Sequence, residues 1–322
     1  MRKRAAAGHS QGGPEGAPDG TAADDASGRR RAAAGSAADA AGNGARGAAA
    51  IVAAARAGEP DRYLAALLAP ARARASLLAL AAFLAELRRA VAVVREPRMG
   101  EIRLQWWREA LQIDPRLRSG NPIADALRAV ASAQALPEQL LQQVIDARWR
   151  DLDGAPLADE EEFASYLWRS EGVPFLLAAH VLGGRSLPRL PAAAAAAGRA
   201  YGLARLLRDM PRALARGRVG LPASYLQAAG LAPEALLSGQ GGEPLASLLA
   251  ELIADIRRHR AAARQSVGNL PAAIGPAFLP LALVGSYVHG LERAGSAALR
   301  TPAPIAPLTR FARMAAARLF GI

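Results

Sequence analysis

Apolar residues recur at intervals of three and four through most of the chain, with polar residues between them. This spacing puts the apolar side chains on one face of an α-helix, whereas a half-buried strand needs strict alternation. The pattern predicts amphipathic helices joined by short connections rich in Pro and Gly, and an all-α single domain. Its clearest carriers are 75–96, 101–111, 122–135, 137–154, 159–184, 192–210, 245–267 and 276–295. Asp61 is predicted to cap an early helix, and Pro211 to end the helix that starts near residue 192.

The pattern stops at both ends of the chain. Residues 1–45 are low-complexity Gly, Ala, Asp and Arg, and we expect them to be disordered because they offer too little apolar surface. Residues 46–300 form the predicted domain. The pattern of residues 301–322 predicts a basic amphipathic helix with Leu308, Phe311, Met314 (or Ala315) and Leu319 on one side. Two interpretations stay open for this helix: it packs on the body, or it lies in an anionic membrane surface.

Composition narrows the classes of function. Apolar residues make up 52% and aromatic residues 5%, a mixture that suits helices packed through small side chains, and the formal net charge is +12. Nearly all the cations are Arg, which favours bidentate contact with phosphate or carboxylate. A nucleic-acid partner is not expected, because no binding motif is present and aromatic residues are not interleaved with the basic ones.

Other classes are excluded by what the sequence lacks. There is no cysteine, and the four histidines are too scattered to predict a zinc site. No apolar run of membrane-spanning length is free of charge or Pro, and no apolar segment follows the initial MRKR as a secretory signal requires. We expect a cytoplasmic protein, either free or peripheral on the inner face of the membrane.

Five segments occur in an order that resembles the squalene/phytoene synthase family. They are ALAAFLAELRRA (79–90), EIRLQWWREAL (101–111), IDARWRDLDG (145–154), YLWRSEGVPFLL (166–177) and GRAYGLARLLRDMPRALARGRVGLP (198–222). The resemblance covers roughly residues 60–300. It implies an isoprenoid-synthase-like helical bundle around a central cavity. It also implies a reaction in which two prenyl diphosphates condense while Mg²⁺, held between two aspartate-rich motifs, neutralises the departing diphosphate.

The first of those motifs is altered where the chemistry needs carboxylates. The family pattern AF-C-R-x-x-D-D-x-x-D falls on 82–92, where Arg88 and Arg89 replace two aspartates and Ala92 replaces the third. Guanidinium groups repel Mg²⁺. Glu86 is the one carboxylate left nearby, so the sequence predicts that this metal site is lost.

The second motif is kept in part. In 202–222 the resemblance retains Arg208, Asp209, Arg216 and Arg218, while Arg205 replaces an asparagine and Arg212-Ala213 replaces Glu-Asp. The resemblance implies that a diphosphate would be bound by Arg205, Arg208, Arg216, Arg218 and Tyr201. Asp209 would bind Mg²⁺ if the protein were active. The side chains expected to line the cavity are Phe83, Trp106, Trp107 and Tyr166.

Three hypotheses follow. The preferred one is a non-catalytic, membrane-peripheral accessory protein, similar to the complex I assembly factor of squalene/phytoene synthase type, that needs no cofactor and associates with a respiratory-complex subunit. The alternative is a Mg²⁺-dependent transferase condensing two farnesyl or geranylgeranyl diphosphates, with Glu86, Asp151, Asp153 or Glu171 supplementing Asp209. A third is a module that grips a prenyl diphosphate or an anionic lipid head through arginines without metal. In each case the individual arginines could instead be solvated or paired, as Arg205 and Asp209 could be at helical spacing.

Overall fold

A computed structural model describes residues 44–92, 96–300 and 305–322. The region 47–322 is one compact unit. Every regular element within the described residues is helical, which confirms the predicted all-α class. The expected disorder of residues 1–45 concerns a segment that, up to residue 43, lies outside the described residues.

Fourteen α-helices are present in the described residues, and three short stretches of other helical types join them. The α-helices are α1 (44–58), α2 (Pro60–Leu67), α3 (Ala71–Ala92), α4 (Pro97–Gln112), α5 (Pro122–Ala133), α6 (Glu138–Asp153), α7 (Glu160–Leu167), α8 (Val173–Val181), α9 (Leu190–Leu214), α10 (Ala223–Ala228), α11 (Pro233–Leu237), α12 (Gly242–Gly268), α13 (Val284–Ala294) and α14 (Pro307–Phe320). A π-helical turn, Trp168–Gly172, joins α7 to α8. Two 3₁₀ segments, Ala272–Leu283 and Gly295–Leu299, flank α13.

Local chemistry fixes many of the helix starts. Proline occupies the first turn of α2, α4, α5 and α14, where its missing N–H costs no helical hydrogen bond. The side chain of Asn121 accepts from the backbone N–H groups of Ile123 and Ala124, and that of Asp159 accepts from Glu162 N–H. These caps place the ends of α5 and α7 where the sequence pattern indicates them.

Two prolines behave differently from the sequence prediction. Helix α9 continues past Pro211 to Leu214, because Pro211 is buried with Met210 and Leu214 and packing outweighs the one lost hydrogen bond. The predicted helix beginning at Pro276 is instead a 3₁₀ segment up to Leu283, with Pro276 and Pro280 inside it.

The core consists of two apolar clusters. One gathers side chains mainly from α2–α6 around Phe83, and the other gathers side chains from α7–α14 around Tyr201 and Phe278. The stretch Ala272–Ala294 is long and apolar enough to cross a membrane, but 61% of its apolar window is buried inside the fold. It is therefore a core element of this structure.

Candidate functional site

Neighbouring arginines on α3 point in different directions. Arg88 reaches into the interior, where its Nε lies 2.8 Å from Glu59 Oε1 and its Nη2 donates to Glu171 Oε1 at 2.6 Å. Arg89 is exposed and pairs with Glu86 one turn earlier on the same helix. Consecutive helical residues are about 100° apart, so only one of the two can face inward. The altered aspartate motif therefore delivers one guanidinium to the centre of the fold.

Arg88 belongs to a largely buried network of five charged side chains. We call this network, formed by Glu59, Arg62, Arg88, Glu171 and Arg205, the ion-pair cluster. Arg205 forms a fork with Glu59 at 2.8 and 2.7 Å. Arg62 bridges the two acids, at 2.8 Å from Glu59 and 2.7 Å from Glu171. Both carboxylates thus accept hydrogen bonds from more than one guanidinium group. Such charge-assisted hydrogen bonds are stronger than neutral ones.

The electrostatics keep both acids of the cluster ionised. Burial by itself raises the pKa of Glu171, but Arg62, Arg205 and Arg88 outweigh it and lower the value to about 2. The pKa of Glu59 is likewise held well below its ordinary range, because Arg205, Arg88 and Arg62 outweigh its burial. Burial lowers the pKa of Arg88, and Arg205 adds to this, although the two glutamates oppose it.

Glycine contacts bring the cluster together. A Cβ added to Gly198 of α9 would lie 2.5 Å from Cα of Gly172 in the π-helical turn, and one added to Gly202 would crowd Glu171. Only residues without a side chain let these backbones approach so closely. The contact sets Glu171 opposite Arg205 on α9.

A third buried carboxylate lies beside the cluster. Asp61 accepts hydrogen bonds from Tyr201, at 2.8 Å, and from Tyr287, and it lies 3.1 Å from Nε of Arg310. The predicted helix cap at Asp61 is wrong, because Glu59 occupies the cap position of α2 and Asp61 turns into the core. Glu59 and Asp61 were absent from the sequence-predicted site, although two acids beside an apolar helix start could have indicated buried partners.

The arginines predicted to bind diphosphate occupy two settings. Arg205 is committed to the ion-pair cluster, and Arg208 is paired with Asp209 at 2.9 and 3.0 Å. Arg216 and Arg218 follow α9 and line a pocket. Tyr201 is buried against Asp61 and does not line that pocket.

This pocket, which we call the arginine pocket, has a volume of about 320 Å³, near the lower end of ordinary ligand sites. Its walls come from α3, α6, α7, the π-helical turn, α9 and the loop after α9. Seven arginines and three carboxylates line it, so its charge is strongly positive. The arginines are Arg88, Arg148, Arg150, Arg205, Arg212, Arg216 and Arg218, and the carboxylates are Asp151, Glu171 and Asp209.

Two residues that line the arginine pocket each have a buried polar atom without a hydrogen-bond partner among the described residues. These are Oγ of Ser170 and Nε of Arg205, and both residues are more than nine-tenths buried. Buried polar atoms ordinarily find a hydrogen-bond partner. Both atoms are closed off from solvent, so they lie behind the wall of the pocket, and Nε of Arg205 faces Asp209 at 4.0 Å.

The predicted cavity side chains are divided. Tyr166 lines the arginine pocket and donates to Asp151 at 2.7 Å. Phe83 and Trp107 are buried in edge-to-face contact, with ring centroids 5.3 Å apart, and Trp106 is partly exposed beside Trp107. The structure places these three side chains away from the arginine pocket.

The carboxylates around this pocket do not fit a magnesium cluster. Asp209 is bonded to Arg208 and lies 3.5 Å from Arg212, and Asp151 is bonded to Arg148 at 2.7 Å. Within the described ranges, no three His, Asp or Glu side chains converge in a metal-binding arrangement. Burial raises the pKa of Asp209, but Arg208 and Arg205 outweigh this effect and lower the pKa overall. A cation at Asp209 would therefore have to displace arginines.

A comparison with known families decides the assignment. The family model of squalene/phytoene synthase matches residues 55–311, more than half of the chain. The chain belongs to the squalene/phytoene synthase family. Solved structures agree on the fold: squalene synthase HpnC from Alicyclobacillus acidocaldarius superposes with a TM-score of 0.67 at 18% identity, over 76% of this chain and 92% of that one. A dehydrosqualene synthase in complex with ligand superposes with a TM-score of 0.68 at 16% identity, over 85% and 97%.

Curated relatives of this squalene/phytoene synthase family member carry another description. NADH dehydrogenase (ubiquinone) complex I, assembly factor 6, from Mus musculus is 27% identical over 212 residues, 65% of this chain and 62% of that protein. The Homo sapiens protein of the same name is 26% identical over 209 residues, again 65% and 62%. The match thus spans about 62% of the length of these relatives.

Proposed function

We propose that this protein is a non-catalytic member of its family that binds a phosphate-bearing anion without Mg²⁺ and serves as an accessory protein in respiratory-complex assembly. The observation that carries the proposal is the insertion of Arg88 between Glu59 and Glu171. This guanidinium comes from the helix position at which the family resemblance expects an aspartate.

The loss of catalysis follows from the state of the remaining acids. A hard divalent cation needs several carboxylate or water oxygens around it. Glu171, Asp209 and Asp151 already receive hydrogen bonds from arginines. Their release would leave buried guanidinium groups unpaired, at a cost of several kcal/mol.

The arginine pocket supports the choice of ligand. Arg216 and Arg218 line the pocket and form no ion pair within the described residues. Guanidinium groups match the oxygens of a phosphate or diphosphate group. A prenyl diphosphate and an anionic lipid head share this chemistry.

The partner and the location are drawn from the relatives and the sequence. The mouse and human relatives are described as complex I assembly factors, so we propose a respiratory-complex subunit as the protein partner. A cytoplasmic protein at the inner face of the membrane would meet such a subunit there. Deletion of the gene should then lower the NADH–quinone reductase activity of the membranes, and Arg216→Ala/Arg218→Ala should restore it less well than the parent.

The first test asks whether any catalysis remains. Purified protein should form no condensed product from farnesyl or geranylgeranyl diphosphate with Mg²⁺, while circular dichroism shows the helical fold. Product that disappears in Asp209→Ala would overturn the non-catalytic proposal and make Asp209 a metal ligand.

The second test is calorimetric titration with inorganic pyrophosphate. Binding should occur in EDTA and should not strengthen when Mg²⁺ is added. Arg216→Ala/Arg218→Ala should weaken it at least tenfold, since two charge-assisted contacts are lost. Arg72→Ala/Arg103→Ala removes the same charge from exposed positions outside the pocket and should leave binding unchanged.

The source of the anion is resolved by two further ligands. Farnesyl diphosphate binding more tightly than pyrophosphate, with glycerol phosphate inert, assigns a prenyl diphosphate. Comparable binding of glycerol phosphate assigns a lipid head. If binding requires Mg²⁺, the metal-free site is wrong.

A further inference from the structure

Helix α14 exposes apolar side chains that a surface helix ordinarily buries. Leu308 is 78% exposed, Leu319 75%, Phe320 87% and Phe311 45%. Met314, on the same helix, is fully buried. Amphipathic helices normally turn their apolar face to the core and their polar face to water. The other side of α14 therefore carries a second apolar surface.

The attachment of α14 fixes the direction of this surface. Met314 packs into the core, and Nε of Arg310 lies 3.1 Å from the buried carboxylate of Asp61. Leu308, Phe311 and Leu319 follow one another at spacings of three and eight residues, so they share a face that these two anchors leave outside. The sequence pattern offered Met314 or Ala315 for this face, and in the structure Met314 is turned into the core. We call Leu308, Phe311 and Leu319 the outer face of α14.

Arginines border the outer face. Arg313 and Arg318 are exposed on α14, and Arg260 and Arg264 lie near its end on α12. Nε of Arg264 donates to the backbone oxygen of Ile322 at 2.8 Å. Burial lowers the pKa of Arg260, and its neighbours Arg264 and Arg313 lower it further. These guanidinium groups are close enough to repel one another.

Acidic residues do not balance these arginines. The sequence from Arg293 to Ile322 contains five arginines and no Asp or Glu. Within the described residues, Arg260, Arg264, Arg313 and Arg318 form no ion pair with a carboxylate side chain. The bordering charge is therefore available to a negatively charged partner.

We propose that the outer face of α14 docks on an anionic lipid bilayer, with Leu308, Phe311 and Leu319 at the boundary of head groups and acyl chains. An interfacial helix buries its apolar side about 5–10 Å deep while cationic side chains meet the lipid phosphates. The outer face matches this arrangement, because its side chains are exposed and arginines lie at its border. The inference deepens the peripheral location proposed above, and it uses no residue of the arginine pocket.

The test is co-sedimentation of the full chain with vesicles of phosphatidylcholine alone or mixed with phosphatidylglycerol. The protein should sediment with the anionic vesicles and much less with the neutral ones. Leu308→Ser/Phe311→Ser/Leu319→Ser should reduce the bound fraction at least tenfold. Arg313→Gln/Arg318→Gln should remove most of the preference for phosphatidylglycerol, because charge attraction adds to apolar burial.

A matched control distinguishes a local effect from a general loss of apolar surface. Ile102→Ser/Leu117→Ser/Leu237→Ser replaces three exposed apolar side chains elsewhere and should sediment like the parent. Thermal unfolding should show that both triple variants are folded. Equal sedimentation of the outer-face variant and the parent would overturn the proposal, and so would equal binding to neutral and anionic vesicles.

Two further measurements distinguish lipid docking from self-association and from anion binding in the arginine pocket. A parent that is dimeric by light scattering, and that the outer-face substitutions make monomeric, would show that a second copy covers the face, which also overturns the proposal. The outer-face variant should still bind pyrophosphate. Failure of lipid docking therefore leaves the proposed anion site intact, and failure of pyrophosphate binding leaves lipid docking intact.

Discussion

Arg88 and Arg205 illustrate how the surroundings of a residue decide its contribution to the stability of the fold. Both are held between buried carboxylates, whereas Arg89, next to Arg88, forms only an exposed pair with Glu86. An exposed pair contributes about 0.2–1 kcal/mol, while removal of one partner from a buried pair costs about 3–5 kcal/mol. Replacing an arginine should therefore cost much more stability in the ion-pair cluster than at Arg89.

Arg205→Met tests this difference. The change leaves Glu59 buried without its forked partner, so we expect the free energy of unfolding to fall by about 3–5 kcal/mol. Urea unfolding measures it. Arg89→Met is the control and should cost less than about 1 kcal/mol. Similar losses in the two variants would contradict the importance of the ion-pair cluster.

The pKa of Glu171, lowered to about 2, makes stability depend on pH. An unfolded glutamate titrates near pH 4.3, so the unfolded chain binds more protons than the folded chain between these values. Stability from this group is complete above about pH 5 and is lost as the pH falls toward about 2. The loss is on the order of 3 kcal/mol.

Urea unfolding at a series of pH values from about 7 to about 3 checks this dependence. The free energy of unfolding should decline below about pH 5, and Glu171→Gln should lower stability at neutral pH and flatten the decline. An unchanged slope in the variant would show that other acids carry the dependence.

At the scale of elements, the close approach of α9 to the π-helical turn decides the geometry of the ion-pair cluster. Gly198 contacts the backbone of Gly172, and this contact places Arg205 opposite Glu171. The π-helical turn interrupts what the sequence pattern indicates as one helix over 159–184. Such turns occur often at functional sites.

Gly198→Ala should therefore destabilise the fold. A methyl group there would lie 2.5 Å from backbone atoms that cannot rotate away, and such overpacking costs about 1–3 kcal/mol. Gly268→Ala, at the end of α12, meets nothing within 4 Å and should be neutral or slightly stabilising. Thermal unfolding of the two variants is the measurement, and equal midpoints would disagree with the close contact.

At the scale of the whole unit, the last helix is connected to the centre. Arg310 on α14 reaches Asp61 on α2, which also receives Tyr201 from α9 and Tyr287 from α13. One carboxylate thus joins four helices from distant parts of the chain. The arrangement holds the outer face of α14 away from the core.

Arg310→Met tests the connection. Loss of a charged partner from a buried carboxylate costs about 1.5–3 kcal/mol, and we expect urea unfolding to show a decrease of this size. Arg313→Met, on the exposed side of the same helix, should change stability by less than about 0.5 kcal/mol. If Arg310→Met left the free energy of unfolding unchanged, the packing of Met314 alone would hold α14.

The helical class was readable from the amino-acid sequence, because apolar spacing of three and four is a local property of each segment. The order of five motifs indicated the family, and Arg88 and Arg89 led to the prediction that a metal site is lost. Pairings between distant residues were not readable, since they depend on how helices pack. The ion-pair cluster joins Glu59 to Arg205 and Arg62 to Glu171, residues more than a hundred positions apart.

Which arginines are buried, and which side of α14 faces out, depended on the packing of the whole fold. A helical pattern gives the angular positions of side chains but not the direction of the body. That direction came from Met314 and Arg310, which are anchored in the core and at Asp61. Identical guanidinium groups therefore lie in the ion-pair cluster, in the wall of the arginine pocket or at the border of the outer face. Their interactions differ because the surrounding charges and the access to water differ at each place.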